Sequence, residues 1–196
     1  DSRQINAGDI FWAVPGEVFD GHDFVNSAIN CGAVACVVEA GREHTLDASV
    51  AVIEVPHTTR ALADLARWHR QRMQTPVVGI TGSFGKTTTR EMVSSVLSTQ
   101  YDVFQSKKNF NNHIGLPLCL FELQADHAVA VLELGASAVG EIASLCEIAL
   151  PNTAIITGIG RAHCGAFGGI EQTVRAKGEL AAALARDGLL FLPSDD

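Results

Sequence analysis

From Val77 onward, short unbroken apolar runs alternate with segments whose apolar residues recur at helical spacing, the pattern of an α/β domain on a mostly parallel sheet. Residues 77–80, 128–134 and 154–157 read as buried strands. A shorter strand is predicted at 101–104, and another begins at 188–192. Helices are predicted from about Thr87, over 140–149 up to Pro151, and over 170–186 with Val174, Leu180 and Leu184 inward. Residues 107–117 read as a polar, ordered loop and 158–169 as a second loop.

The first 75 residues form a smaller unit of the same class. Residues 8–14 look like a turn feeding a strand, 20–23 a polar turn, and 24–30 a helix. Residues 33–38 suit a buried strand and 50–55 repeat that character. A helix over 60–73 offers Leu62, Leu65, Ala66 and Trp68 for its buried face. Pro76, which disfavours helix in the residue before it, marks the boundary, so domains are expected at 1–75 and 76–196.

With 196 residues, 47% of them hydrophobic and 18% charged, the chain can bury a substantial core. A net charge of −8 argues against a broad nucleic-acid or anionic-lipid footprint, so anionic ligands must be caught locally. Cys31, Cys36, Cys119, Cys146 and Cys164 are odd in number and lack Cys-x-x-Cys spacing, so they read as reduced, mostly buried thiols of a cytoplasmic protein. No apolar run approaches the roughly 20 residues needed to cross a bilayer. The chain starts at Asp1 without methionine and stops at Asp196 just after an apolar run, which reads as a piece of something longer.

The chemistry centres on the glycine-rich turn between strand 77–80 and the next helix. Such a turn aims several backbone N–H groups at one point, where the positive end of the helix also favours a phosphate. Gly79 and Gly85 enclose five residues where the general phosphate-loop pattern has four, but the core Gly82-x-x-Gly85-Lys86-Thr87 is intact. Lys86 would meet the β/γ-phosphates and the Thr87 hydroxyl would bind Mg²⁺. The fold expected is therefore a small amino-terminal α/β domain followed by a phosphate-loop domain with a mostly parallel, truncated sheet. Ligands of such sheets bind beyond the carboxyl ends of the strands, and 81–87, Glu133 and His163 all follow strand ends. Glu133, costly to bury unpaired, reads as a metal ligand or ion-pair partner, or as a solvated strand end. By position alone His163 suits a structural histidine as well as a ligand, and Lys177 reads as an exposed mid-helix lysine.

The segments Asp1-Ser2-Arg3, Gly8-Asp9-Ile10-Phe11, Asp20-Gly21-His22-Asp23-Phe24, Thr81-Gly82-Ser83-Phe84-Gly85-Lys86-Thr87-Thr88, Asn111-Asn112-His113-Ile114-Gly115-Leu116-Pro117, Glu133-Leu134-Gly135-Ala136 and Ala176-Lys177-Gly178-Glu179 together resemble the Mur ligases. The resemblance spans essentially the whole chain. Within the family it is greatest to the enzymes that add D-alanyl-D-alanine to UDP-N-acetylmuramoyl-tripeptide in peptidoglycan precursor synthesis. It implies an ATP-dependent amide ligase in which the tripeptide carboxylate takes the γ-phosphoryl group of ATP as an acyl phosphate and the dipeptide amine then displaces phosphate. It further implies that 81–88 bind ATP, that Thr87 and Glu133 hold one Mg²⁺, that His163 helps to hold a second, and that Lys177 is carbamoylated into a metal ligand. Asn112, with Asn111, would face the phosphoryl group. Ser2, Arg3, Asp20, Gly21 and His22 would lie near the UDP end of the substrate. Two departures stand out: Phe84 replaces a small polar residue of many relatives, and the family's third domain and longer central domain are absent. This piece alone is therefore expected to bind without turnover. Other readings are a neighbouring Mur-type ligase, a folylpolyglutamate synthase-like enzyme, or a nucleotide-binding module.

Overall fold

Three apolar runs of the first unit pair side by side as parallel strands: β1 (Ile10–Trp12), β2 (Ala35–Glu39) and β3 (Ala51–Val55), in that order. This computed structural model describes residues 2–16, 18–42, 50–107, 109–160 and 169–194. β2 lies in the middle and is buried over Ala35–Val38. Helix α1 (Val25–Asn30) sets Val25 and Ala28 against Phe11, Ala13, Cys36 and Val38. The buried strand expected at 50–55 is instead an exposed one. β3 pairs with β2 alone among the described residues, and no β3 residue joins the core.

Helix α2 (Thr58–Arg72) buries Thr58, Leu62, Ala66 and Arg70, one row at i, i+4 spacing. Leu65 and Trp68, expected on that face, lie off the row and are exposed. Trp68 is covered instead by the Arg72 guanidinium, 4.8 Å from its ring centroid. The chain divides into two compact units, Asp1–Leu62 and Ala63–Asp196, and the division falls inside α2, earlier than Pro76. The physical reason is the helix's later turns. Ala63, Ala66 and Met73 pack on the second unit's core, and buried Arg70 donates to the carbonyls of Ala149 (2.8 Å) and Met73 (2.6 Å).

The second unit is a five-stranded parallel sheet of β4 (Val77–Thr81), β5 (Val103–Gln105), β6 (Val129–Glu133), β7 (Thr153–Ile156) and β8 (Leu189–Phe191). Its order is β5-β6-β4-β7-β8, so the three strands expected near 77, 129 and 154 are its centre. Helices α3 (Lys86–Leu97), α4 (Gly115–Leu120), α5 (Glu141–Ala149) and α6 (Ile170–Ala182) connect them. Val77, Leu132, Leu134, Ile142, Leu145 and Leu180 anchor the core. α6 ends earlier than expected and turns Thr173, Ala176, Lys177 and Leu180 inward, while Val174 is exposed. α4 begins inside the stretch expected to be a loop. Pro117 falls in its first turn, where a missing N–H costs nothing, and Leu116, Cys119 and Leu120 are buried on it, with Leu123 buried just beyond its end. Among the described cysteines all are free, and only Cys31 is exposed. Burial pushes the Cys119 thiol up to about 11 and the Cys146 thiol up to about 12.

Candidate active site

In β4, Ile80 pairs with Glu133 of β6 and Thr81 with Ile156 of β7, so the turns after all three strands leave one edge of the sheet. The β4 turn is shaped by two glycines at positive φ, Gly82 (151°) and Gly85 (77°), of which Gly85 caps α3. Gly79, by contrast, lies within β4, where a Cβ would press on Leu180 at 3.1 Å. At the start of α3 the N–H groups of Lys86, Thr87 and Thr88 have no acceptor among the described residues, and the first that does is Thr89, bonded to the Gly85 carbonyl at 2.9 Å. Those groups form an anion cradle at the positive end of a 12-residue helix. Lys86 Nζ rests on the Gly82 carbonyl at 2.8 Å. Two residues of the expected phosphate-binding stretch turn elsewhere. The Thr81 hydroxyl donates to the Leu134 carbonyl (2.8 Å) and the Ser83 N–H to the Gly158 carbonyl (2.9 Å). Phe84 is exposed.

Glu133 ends β6 at 6% exposure. Its Oε2 accepts from the Thr87 hydroxyl at 2.9 Å, its Oε1 from Asn111 Nδ2 at 2.9 Å, and Arg90 places a guanidinium nitrogen 3.8 Å from Oε2. Its own N–H donates to Ser106 Oγ at 3.0 Å. These partners offset the cost of a buried carboxylate. Thr87 Oγ1 and Glu133 Oε2 are two hard oxygens already in contact. They suit Mg²⁺, which takes one or two protein oxygens and completes its shell with phosphates and water. Among the described residues no cluster of three or more His, Cys, Asp or Glu occurs.

Asn111, rather than Asn112, reaches Glu133. Asn112 Oδ1 accepts the N–H groups of Ile114 (3.1 Å) and Gly115 (2.8 Å), which caps α4. Lys177 is 3% exposed, with Nζ 3.4 Å from the Ala136 carbonyl, three residues beyond Glu133. Burial, then the nearby Lys86 charge, outweigh the attraction of Glu141 and Glu179 and bring its amine down to about 8. Two residues on, Glu179 caps α5 from α6, accepting the N–H groups of Gly140 (2.6 Å) and Ala143 (2.9 Å). Beside this loop a cleft of about 400 Å³ is lined by Asn112, His113, Gly135, Gly140, Glu141 and Ser144, among others. His163 lies outside the described residues. Arg90 and Asn111 carry faint sequence signals: Arg90 follows Thr87 by three on one helix face, and Asn111 precedes the asparagine that caps α4.

In the first unit, Ser2 and Arg3 belong to a 3₁₀ turn, Ser2–Gln4. Asp20 caps another, Gly21–Phe24, and Gly21 approaches Val14 so closely that a Cβ would sit 2.5 Å from its nitrogen. Buried His22 accepts the Glu39 N–H on Nε2 (3.0 Å), which puts its proton on Nδ1, 2.6 Å from Asp20 Oδ1. Burial pushes the Asp20 carboxyl up, but hydrogen bonds from His22 and from Arg42 (2.6 Å) together bring it down to about 2.

Known proteins place this architecture. Residues 80–196 match the Mur ligase middle domain, and residues 1–70 match the domain described as Mur ligase family, catalytic domain. The chain is 41% identical over its whole length to the UDP-N-acetylmuramoyl-tripeptide--D-alanyl-D-alanine ligase of Bacillus subtilis and 36% identical to that of Escherichia coli, spanning 43% and 42% of them. A crystal structure of MurF from Acinetobacter baumannii superposes with a TM-score of 0.92 at 39% identity, over 99% of this chain and 42% of that one. MurF ligase from Thermotoga maritima in complex with ADP gives 0.88 at 36% identity, over 97% and 44%. With its three-stranded and five-stranded parallel sheets, the chain belongs to the Mur ligase family.

Proposed function

We propose that the whole protein is an ATP-dependent ligase of the cytoplasm that joins D-alanyl-D-alanine to UDP-N-acetylmuramoyl-tripeptide. Residues 76–196 would supply the ATP site and residues 1–75 the site for the UDP end of the substrate. The observation that carries the reading is the meeting of the α3 N–H cradle with the Thr87–Glu133 oxygen pair at one edge of the sheet. The N–H groups of 86–88 hold phosphate oxygens, and the Lys86 ammonium leaves the Gly82 carbonyl for the β/γ-phosphates. Thr87 and Glu133 would hold Mg²⁺, with Asn111 fixing the other carboxylate oxygen, and His163 would help to hold a second ion. Bound there, Mg²⁺ would supply positive charge that spreads the negative charge of the transferring phosphoryl group. Asn112, on the cleft side, would face the acceptor carboxylate.

A carboxylate becomes a competent acyl donor once one oxygen leaves as phosphate, so the site's task is to bring the tripeptide carboxylate in line with the γ-phosphoryl group. Lys177 faces the same loop as Glu133, and an amine near 8 is unprotonated often enough at neutral pH to take up CO₂ and become a carbamate. Because the chain spans 43% of its relative's length, these 196 residues alone would bind nucleotide without turnover. Phosphate release from ATP, measured with both substrates for the whole protein and for this chain in parallel, tests the reading. Release dependent on both substrates in the whole protein, and none from this chain, is expected. Release with a glutamate acceptor in place of the dipeptide would overturn it.

A further inference from the structure

We propose that Thr157, just past β7, is a positioning residue that sets the orientation of the phosphate loop; this rests on reading that loop as a nucleotide-phosphate site. After the sheet ends, residues 157–158 and 81–84 continue to exchange hydrogen bonds. The Thr157 N–H donates to the Thr81 carbonyl (2.9 Å), and the Ser83 N–H donates to the Gly158 carbonyl (2.9 Å). The Thr157 hydroxyl donates to the Phe84 carbonyl (2.5 Å) and lies 3.3 Å from the Thr81 carbonyl. The same hydroxyl occupies the room a side chain at 82 would need: a Cβ there would lie 2.1 Å from Thr157 Oγ1.

Peptide planarity turns these anchors into an orientation. In a trans peptide the carbonyl and the following N–H point in opposite directions. Holding the Phe84 carbonyl on Thr157 therefore aims the Gly85 N–H away from β7, and that N–H has no acceptor among the described residues. By the same rule, tying the Ser83 N–H to Gly158 turns the Gly82 carbonyl the other way, where Lys86 Nζ meets it at 2.8 Å. Thr157 thus adds the Gly85 donor to the cradle without touching the ligand.

The test compares Thr157→Val, which keeps the shape and loses the donor, with Thr157→Ser, which keeps the donor. Mg-ADP is titrated into each 196-residue chain, with melting temperature and Ser83 amide exchange recorded alongside. Loss of one hydrogen bond and of the aimed donor should weaken ADP about tenfold in Thr157→Val, with Thr157→Ser within about twofold of the parent. Melting temperatures should change little, and Ser83 should exchange faster in Thr157→Val alone. Thr157→Cys, a weaker donor, should fall between them, and it covers the case in which Thr157→Val fails to fold. Equal ADP affinity in Thr157→Val and the parent overturns the proposal, as does a Thr157→Ser as weak as Thr157→Val. Failure of the parent chain to bind ADP overturns the phosphate-loop reading itself, and the proposal with it.

Discussion

Replacing Lys177 with methionine is expected to stabilise the chain at neutral pH. Methionine keeps the apolar length of the stem and removes the ammonium. Burial, and then Lys86, bring the Lys177 amine from 10.5 to about 8, so the folded state disfavours its charged form. At about 1.36 kcal/mol per pH unit, the upper limit of that penalty is near 3 kcal/mol. Screening by solvent and removal of the hydrogen bond to the Ala136 carbonyl reduce the expected gain to about 1–2 kcal/mol. The sign of the pH dependence follows from proton counting. Between about 8 and 10.5 the unfolded chain holds the Lys177 proton and the folded chain does not, so parent stability rises with pH across that window. Methionine has no such slope. Its advantage should be full below about pH 8 and gone near 10.5. Urea denaturation of both chains in CO₂-free buffer at pH 7 and pH 10 measures it. A methionine variant less stable than the parent at pH 7, or an advantage unchanged at pH 10, would refute the reasoning.

In the whole protein, Lys177→Ala should lose ligase activity and regain part of it with an added short-chain carboxylic acid, and full activity without it would exclude the carbamate role. Glu133→Gln should remove the Mg²⁺ dependence of ADP binding, read by titration with and without the metal. It should also cost about 1–3 kcal/mol of stability in urea, because the buried Thr87 and Asn111 hydrogen bonds lose their charged acceptor and Arg90 keeps only Glu91 as a carboxylate neighbour among the described residues. Lys86→Ala should abolish turnover with a melting temperature close to the parent's, since the substitution removes a single hydrogen bond to the Gly82 carbonyl. Asp20, held near 2, contributes stability that is present above its ordinary value of 3.8 and lost as pH falls through about 2. Asp20→Asn should flatten that acid limb in a denaturation series from pH 5 to pH 2.

The central strands were legible because fully buried parallel strands must be apolar throughout: 77–80 and 154–157 each came within a residue or two of the strand formed, and 128–134 contains β6. What failed was the direction of side chains whose surroundings are not local. Val52 and Ile53 look like core, but their strand lies at an edge. Leu65, Trp68 and Val174 are apolar yet sit off the buried rows, which Thr58, Arg70, Thr173 and Lys177 complete instead. Arg70 and Lys177 are buried because carbonyls from distant segments meet them, and no periodicity encodes that. α4 was hidden by Pro117, although Leu116, Leu120 and Leu123 kept its spacing. At the sheet edge, the convergence of the glycine turn, Thr87 and Glu133 was legible from spacing and strand ends. That Asn111 reaches Glu133 while Asn112 holds the start of α4 depends on which side chain accepts the helix N–H groups, and two adjacent asparagines cannot reveal it.

The sheet order β5-β6-β4-β7-β8 also bears on how the protein is made. On the ribosome β4 emerges first of the five, yet both its neighbours come later, β6 about 50 residues on and β7 about 75. Until then its two edges stay open, and Val77 lacks its later core partners Leu132, Leu134 and Leu180. The glycine turn is completed later still, since Thr157 and Gly158 hold it from the far side of β7. A nascent chain stalled before residue 157 should therefore hold the whole Gly82–Thr87 motif outside the tunnel and still lack a formed cradle. Nucleotide could not serve as an early folding template, and the unfinished strand would depend on shielding by other factors.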